Sequence, residues 1–175
     1  MPSSYQAPMR KDEASERKTQ SQSTSTNVSK DSATVQKLMA SKDGGQIIAI
    51  RPQDTIAVAV GILRDKRIGA LAVTDATGAL VGILSERDIV RKLAETPGQT
   101  LPQSVGDNMT AKVESCSPSD MLVDVLRRMT EGRFRHMPVV ENGAPIGMVT
   151  IGDVVHFRLR ELEHEALQLK QMIVG

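Results

Sequence analysis

The sequence contains an internal repeat, which restricts the chain to folds built from two similar units. The segment Arg51-Pro-Gln-Asp54 aligns with Ser117-Pro-Ser-Asp120 at an offset of 66 residues. Farther along, Val81-Gly-Ile-Leu-Ser85 aligns with Ile146-Gly-Met-Val-Thr150 at an offset of 65, because the second copy has a shorter turn. A unit of roughly 60 residues closes a core poorly by itself. We therefore expect the two copies to pack sheet to sheet and to share a core.

Each copy has the same predicted order of strand, helix, strand, strand and helix. Asp54 and Asp120 are the predicted N-caps of the first helix in each copy, and Gly132 is the predicted left-handed C-cap in the second. The pair Asn142-Gly143 predicts a tight hairpin between two strands. The predicted fold class is α+β, with two β-α-β-β-α repeats in a pseudo-two-fold arrangement.

A short helical segment is predicted ahead of each copy. Val35–Met39 and Val105–Met109 both place a valine and a methionine four residues apart, so that one helical face carries both. The chain then divides into four predicted parts. These are a tail at residues 1–34, a first repeat at 35–100, a second repeat at 101–160 and an extended C-terminal helix at 161–175.

Residues 1–34 have the composition of a disordered tail. They contain eight serines and no leucine, isoleucine or phenylalanine, so they cannot bury enough apolar surface to repay chain ordering. Basic residues among many hydroxyls also suggest an organelle transit peptide, but acidic residues are interleaved, which such peptides avoid. The interpretation as a solvated tail is favoured.

Composition disfavours strong nucleic-acid binding. The chain has 22 basic and 21 acidic residues, and residues 35–175 hold 17 of each sign, so no long-range field attracts a polyanion. The aromatic residues are Tyr5, Phe134 and Phe157, which leaves little platform for stacking unpaired bases.

Cysteine usage and hydropathy predict a soluble cytoplasmic protein that does not bind membranes. The single cysteine, Cys116, rules out an internal disulfide and a cysteine-only metal cage, and fits a reducing compartment. No apolar run approaches the roughly 20 residues that span a bilayer. The N-terminus lacks the apolar block of a secretory signal.

The final helix, at about Ile151 to Ile173, carries an apolar seam with alternating spacings of four and three residues. The seam consists of Val155, Leu159, Leu162, Ala166, Leu169 and Ile173. Packing on its own domain is one interpretation of this seam, and docking of a second subunit is the other. We favour docking, and so a homodimer, because the helix extends past the end of the corresponding helix in the first repeat.

Each repeat places a hydroxyl and an aspartate after a strand that carries a glycine. The two sets are Gly82, Ser85 and Asp88, and Gly147, Thr150 and Asp153. One interpretation is a capping box that merely begins a helix. The other is a ribose site, because an ionised aspartate accepts hydrogen bonds from paired hydroxyls, and the glycine allows a close approach to the strand.

Basic residues that suit phosphate are distributed unevenly between the repeats. Arg133, Arg135 and His136 lead into the middle strand of the second copy, where the first copy has Arg67, Gly69 and Ala70. Arg135 is the preferred phosphate ligand because a guanidinium fork matches phosphate oxygens. Arg133 is either a phosphate ligand or a solvated charge at the end of a helix. His136 is either a ligand or an ordinary surface or core histidine. Arg87 reaches either solvent or a phosphate.

Taken together, these motifs closely resemble a tandem pair of cystathionine-β-synthase-type (CBS) domains over about residues 35–160. The resemblance rests on the duplicated Gly-x-x-Ser/Thr-x-x-Asp, on the two aligned turns, and on Phe134-Arg-His-Met-Pro-Val-Val140. It implies a pseudosymmetric module, often dimerised into a flat disc, with two clefts that bind adenosine nucleotides such as AMP, ATP or NAD.

The resemblance also implies a role for individual residues. Ser85 with Asp88, and Thr150 with Asp153, would hold riboses, while Arg135 and His136 would meet the phosphate of the ligand on Asp88. Gly69 and Ala70 depart from this pattern and leave the Asp153 site without that cation. The adenine would lie among aliphatic side chains and backbone near Ile50, Pro52, Cys116 and Pro118.

The leading functional hypothesis is a non-catalytic sensor that transmits nucleotide occupancy to a dimer or to a regulated partner protein. The alternative is a structural adaptor with empty clefts. An enzyme has little support, since Cys116 has no motif partner and His136, His156 and His164 lack metal-ligand spacing. A basic cluster of Arg127, Arg128, Arg133 and Arg135 is the feature that favours nucleic acid, although such clusters are usually solvated.

Overall fold

The computed structural model describes residues 33–42 and 47–174, so the predicted tail lies outside the described residues except for Ala33 and Thr34. The helices are α1 (Val35–Ala40), α2 (Ile56–Lys66), α3 (Glu86–Glu95), α4 (Val105–Asn108), α5 (Leu122–Glu131) and α6 (Ile151–Val174). The strands are β1 (Ala49–Ile50), β2 (Ala70–Thr74), β3 (Leu80–Ser85), β4 (His136–Glu141) and β5 (Ala144–Thr150).

The two repeats have equivalent sheets. In the first repeat β1 pairs parallel with β2, and β2 pairs antiparallel with β3. In the second, β4 and β5 form the antiparallel pair, and Cys116 makes an isolated parallel bridge with Val139 where the first repeat has β1. The predicted hairpin at Asn142-Gly143 is confirmed, with φ of 52° and 81° at its two central residues. The α+β fold with two repeats is confirmed as well.

The predicted N-caps are wrong by one residue. Thr55 caps α2 through a hydrogen bond from the Val58 amide to its Oγ1, and Met121 precedes α5 without a side-chain cap. Asp54 instead accepts a hydrogen bond from the Arg51 amide at 2.9 Å. Asp54 therefore closes the preceding turn, which leaves the cap to the next residue.

The predicted left-handed C-cap at Gly132 is also wrong. Gly132 has a right-handed φ of −78°, and the left-handed residue is Arg133, with φ of 56°. A Cβ atom on Gly132 would lie 2.7 Å from Cδ1 of Phe134. Glycine is therefore required at this position by the packing of the Phe134 ring.

The lead-in helices are exchanged between the repeats. Val35 and Leu38 of α1 belong to the core of the second repeat, whereas Val105 of α4 belongs to the core of the first. The sequence predicts both helices but assigns each to the repeat that follows it. Because all three side chains are fully buried, each repeat depends on the other to complete its apolar core.

The aligned turns hold these exchanged segments by matching backbone hydrogen bonds. The amide of Gln36 donates to the Pro118 carbonyl at 2.8 Å, and the amide of Gly106 donates to the Pro52 carbonyl at 2.8 Å. The next bonds match as well, from Val35 to the Asp120 carbonyl at 2.9 Å and from Val105 to the Asp54 carbonyl at 2.8 Å. The turn motifs are therefore the docking points of the lead-in helices.

The repeated glycines in β3 and β5 make room for the lead-in methionines. A Cβ atom on Gly82 would lie 3.0 Å from Cγ of Met109, and one on Gly147 would lie 2.8 Å from Sδ of Met39. Gly82 and Gly147 are both buried. The sequence predicts that some group approaches the strand closely at each of these glycines. In the structure, that group is a methionine of the exchanged lead-in segment.

We expect Gly82→Ala to lower the free energy of unfolding by about 1–3 kcal/mol, because the new methyl group overpacks the contact with Met109. Gly61→Ala, in α2, is the matched control, since a Cβ atom there meets no heavy atom within 4 Å. It should raise stability by about 0.5–1 kcal/mol through helix propensity. Urea denaturation measures both, and an equal effect of the two changes would contradict the packing argument.

Candidate functional site

Ser85 and Asp88 form a reciprocal cap at the start of α3. The Ser85 amide and hydroxyl both donate to Asp88 Oδ2, at 3.0 and 2.6 Å, and the Asp88 amide donates to Ser85 Oγ at 3.3 Å. Among the described residues, no group donates to the other carboxylate oxygen, Oδ1. The structure therefore contains the capping box and still leaves one acceptor oxygen unused.

A cleft of about 340 Å³ opens beside this cap, and we call it the Asp88 cleft. Residues 85–88 and Arg91 of the first repeat contribute one part of its lining, and residues 132–136 of the second contribute another. Thr110, Lys112, Val113 and Glu114 complete the lining together with Gly69 and Ile83. Its size is in the range of small-molecule sites, about 300–1,000 Å³.

Basic side chains predominate in the Asp88 cleft. Within the described part of the chain its lining includes Arg87, Arg91, Lys112, Arg133 and Arg135, against the carboxylates of Glu86, Asp88 and Glu114. Glu114 is further neutralised by Arg128, 2.7 Å away and outside the cleft lining. The cleft thus combines an acidic acceptor with a cationic wall, which is the arrangement that the sequence predicts for Asp88 and Arg135.

Arg87 links the two repeats. Its Nη1 donates a hydrogen bond of 3.3 Å to the main-chain carbonyl of Arg133. Neither sequence-based alternative, solvent or phosphate, anticipates this contact. Because Arg87 also lines the Asp88 cleft, its guanidinium retains donors that face the cleft.

His136 and Gly69 separate the Asp88 cleft from a second cleft, since both residues line both clefts. A Cβ atom on Gly69 would lie 3.0 Å from Nε2 of His136, so the imidazole packs against the glycine. The absence of a side chain at Gly69 thus has a physical reason, because the histidine fills that space.

The second cleft, of about 330 Å³, contains Thr150 and Asp153 and is called the Asp153 cleft. The Thr150 amide and hydroxyl donate to Asp153 Oδ2 at 2.8 and 2.7 Å, which repeats the cap of the first site. Lys42 Nζ also lies 2.6 Å from this oxygen. Burial alone would raise the pKa of Asp153, but the hydrogen bonds from Lys42 and Thr150 outweigh it and lower the pKa.

The residues predicted to surround the adenine lie elsewhere. Ile50 and Cys116 are each 4% exposed and belong to the two cores. Pro52 and Pro118 accept the backbone hydrogen bonds of the lead-in segments, and none of the four lines either cleft. The apolar lining comes from slightly earlier positions, Ile47 and Ile48 in one cleft and Val113 in the other.

The lysines of both clefts are not among the residues predicted from the sequence. Lys42 lines the Asp153 cleft and Lys112 lines the Asp88 cleft, and each follows the lead-in methionine by three residues. Extending the alignment of Val35–Met39 with Val105–Met109 by three positions would have revealed the pair. Their cleft assignment needs the exchange of the lead-in helices, which the alignment does not contain.

The single cysteine, Cys116, is buried in the core of the second repeat. Burial raises the pKa of the Cys116 thiol to about 11, so it is protonated near neutral pH and a poor nucleophile. Across residues 33–42 and 47–174, no group of three His, Cys, Asp or Glu side chains is placed to hold a metal ion. The same segments contain no helix long and apolar enough to cross a bilayer.

The basic cluster on and after α5 is partly neutralised. Arg127 pairs with Asp124 at 2.8 Å, and Arg128 pairs with Glu114 and, at 3.4 Å, with Asp120. Arg133 and Arg135 line the Asp88 cleft. The four arginines therefore do not form one continuous basic surface.

The ionisation of His136 should contribute to the pH dependence of stability. Burial and Arg135, with Arg87, lower its pKa below the usual 6.5, while Glu86 and Asp153 act in the opposite direction. The unfolded chain then binds the proton more readily, so stability falls as pH drops below about 6.5. We expect His136→Asn to reduce the loss of unfolding free energy between about pH 7.5 and pH 5.5, measured by urea denaturation. An unchanged loss would contradict this prediction.

Comparison with solved structures agrees with this architecture. The CBS-domain containing protein ATU1752 from Agrobacterium tumefaciens is 39% identical, with a TM-score of 0.69 over 73% of this chain and 94% of that one. The CBS domain pair of protein MJ0100, in complex with 5′-methylthioadenosine and S-adenosyl-L-methionine, is 25% identical, with a TM-score of 0.60 over 65% of this chain and 92% of that one.

Sequence comparison leads to the same family. The mitochondrial CBS domain-containing protein CBSX3 from Arabidopsis thaliana is 34% identical over 152 residues, which are 83% of this chain and 74% of that protein. A longer relative from the same plant, CBSCBSPB2, is 32% identical, but the match spans only 26% of its length. The family model for the CBS domain matches residues 35–95 and again residues 104–160. The chain therefore belongs to the CBS domain family, as a tandem pair.

Proposed function

We propose that the chain is a non-catalytic regulatory module that binds an adenosine nucleotide of the AMP, ATP or NAD class. The observation that carries this proposal is the composition of the Asp88 cleft. A capping aspartate of the first repeat lines it together with two arginines of the second, Arg133 and Arg135. A ligand with a diol at one end and phosphate at the other would satisfy both walls.

In this proposal Asp88 binds the ribose. Its Oδ2 is held by Ser85, which fixes the carboxylate, while Oδ1 has no donor among the described residues. The two ribose hydroxyls are donors that match such an acceptor. Ser85 therefore positions the carboxylate, and Asp88 binds the sugar.

The phosphates would bind the basic wall formed by Arg135 with Arg133 and Lys112. Arginine forks bind phosphate oxygens in pairs, and lysine adds a point charge. The adenosine ligands of MJ0100 carry no phosphate. The charge of the Asp88 cleft favours phosphorylated adenosine over the sulfonium cation of S-adenosyl-L-methionine in this chain.

The adenine would lie on the apolar part of the cleft, next to Ile83 and Val113. This assignment replaces the one near Cys116 and Pro118, because those residues do not line the cleft. In the Asp153 cleft the equivalent surface is Ile47 and Ile48. Aliphatic walls suit the flat adenine ring of a nucleotide whose ribose and phosphate are bound by other parts of the cleft.

Regulation follows from the origin of the two cleft walls. A ligand that contacts Asp88 in one repeat and Arg135 in the other favours the arrangement in which both are within reach. Occupancy thereby shifts the packing of the repeats and is transmitted to a dimer or a partner protein. A cytoplasmic location belongs to this proposal, and the relative CBSX3 is mitochondrial by name.

The alternative function is a structural adaptor whose clefts stay empty. The exposed seam of α6 favours it, since a docking helix needs no nucleotide. Nucleotide binding separates the two functions, because the adaptor does not change on addition of ligand. The cationic Asp88 cleft favours the regulatory module.

We expect Asp88→Ala to weaken nucleotide binding about ten-fold or more, because it removes a charge-assisted hydrogen bond that contributes about 1.5–3 kcal/mol. Calorimetric titration with AMP, ADP, ATP and NAD measures this effect. Glu86→Ala, in the same cleft but outside the cap, should weaken binding far less. No heat from any of the four ligands at high concentration would count against the proposed function.

A second control separates ribose binding from helix capping. Ser104 and Asp107 form a similar cap on α4, with the Ser104 hydroxyl 2.7 Å from Asp107 Oδ2, but neither lines either cleft. Asp107→Ala should therefore lower stability without changing nucleotide affinity. Equal losses of affinity in the Asp88 and Asp107 variants would mean that Asp88 only caps its helix.

We also propose that α6 docks a second copy of the chain. The seam is uncovered in the single chain, with Leu159 and Leu162 53% and 52% exposed. The core-facing residues of α6 are others, namely Ile151, Val154 and Phe157. Both charge signs occur beside the seam, on Arg158, Glu163, Glu165 and Lys170, so a second copy meets opposite charges.

Leu159→Glu with Leu162→Glu should halve the mass measured by light scattering, because two charges in each seam oppose burial. Gln171→Glu, on the opposite face of α6, should leave the mass unchanged. A dimer that persists in the double variant would remove α6 from the interface.

A further inference from the structure

We propose that Lys42 pairs with Asp153 in the Asp153 cleft, neutralises its carboxylate and competes with a ribose for it. The chain then binds a single adenosine nucleotide, in the Asp88 cleft. This inference rests on the proposed function, since it decides which of the two clefts takes the ligand.

The acceptor oxygen of Asp153 is already saturated. Oδ2 accepts the Thr150 amide at 2.8 Å, the Thr150 hydroxyl at 2.7 Å and the Lys42 ammonium at 2.6 Å. A carboxylate oxygen has about two lone pairs, so three donors leave no place for a sugar hydroxyl. In both clefts a ribose diol would use the other carboxylate oxygen, but in the Asp153 cleft the Lys42 ammonium also neutralises the carboxylate.

Lys42 is also anchored on the wall of the cleft. Its Nζ donates a second hydrogen bond, of 2.9 Å, to the carbonyl of Met148. The side chains of Lys42 and Asp153 are only 27% and 26% exposed. An ion pair shielded to this extent is screened less by water and salt than a surface pair, so the ligand must displace a held cation.

The equivalent lysine of the other repeat behaves differently. Lys112 also follows its lead-in methionine by three residues and lines the Asp88 cleft. Within the described segments it forms no ion pair with Asp88, whose Oδ2 accepts donors only from Ser85. One lysine of the pair therefore neutralises the aspartate of its cleft, and the other leaves its aspartate charged.

The rest of the Asp153 cleft offers a phosphate little to offset this contact. Gly69 and Ala70 stand where the other cleft has Arg135 and His136. Within the described lining, Arg67 and Lys42 are the lysine and arginine side chains, and Lys42 is already neutralised by Asp153. A nucleotide would meet a neutralised carboxylate without gaining a strongly basic wall.

The test is the number of AMP molecules bound per chain, counted by native mass spectrometry and by calorimetric titration of the full chain, with ATP titrated in parallel. We expect one AMP on the wild type and two on Lys42→Met. Lys42→Gln serves as a second variant in case the first is poorly folded, which urea denaturation checks. Adding Asp153→Ala to Lys42→Met should return the count to one.

Lys112→Met is the matched control and should add no site. Two nucleotides on the wild type, or one on both Lys42 variants, would overturn this inference while leaving the proposed function intact. A Lys42 variant that binds less than the wild type would also overturn it, since Lys42 would then be a ligand-binding cation. No AMP or ATP on any of these proteins would overturn the proposed function and the inference together.

Discussion

The exchange of the lead-in helices is the constraint on which the rest of the structure depends. Each repeat has too little apolar surface to complete a core, and the segment ahead of the other repeat supplies the missing part, through Val35 and Leu38 in one direction and Val105 in the other. The aligned turns bind the lead-in segments through backbone hydrogen bonds. The glycines of β3 and β5 leave space that the lead-in methionines fill. The two clefts follow from it, because the same exchange brings a lysine of each lead-in segment to the opposite repeat.

Much of the fold was predictable from periodicity and turn chemistry. The hairpin at Asn142-Gly143 and the helix starts after Ser85 and Thr150 depend on neighbouring residues, so local patterns are enough to place them. The caps at Asp54 and Asp120 were wrong because an aspartate beside a helix start also serves a turn. The exchange of the lead-in helices could not be predicted, since an alignment of repeats shows which segments are alike and not which ones are in contact.

Several polar residues of the candidate site could be picked out from the sequence, but its apolar lining could not. The aspartates stand at a repeated position and Arg135 carries recognisable side-chain chemistry, and the structure brings Asp88 and Arg135 to one cleft. Ile50 and Cys116, predicted beside the adenine, are core residues that line neither cleft, because a strand next to a cleft and a strand inside a core have similar sequences. Two or three positions along the chain separate the one environment from the other.

The pseudosymmetry of the backbone does not extend to the side chains of the clefts. His136 fills the space at Gly69, and the lysines of the two lead-in segments differ in what they bind. Small differences of this kind are enough to give two similar sites unequal chemistry. They cost the fold little, since none of them alters a core position.

The exchanged lead-in helices also bear on how such a chain arises by duplication. A shorter ancestor with one repeat would have carried a lead-in helix with no core of its own to enter, and a core that lacked its valine. Two such chains would complete each other by trading their N-terminal segments, as an intertwined homodimer. Fusion of the two genes then converts an association that depends on protein concentration into an intramolecular one, and frees each half to diverge.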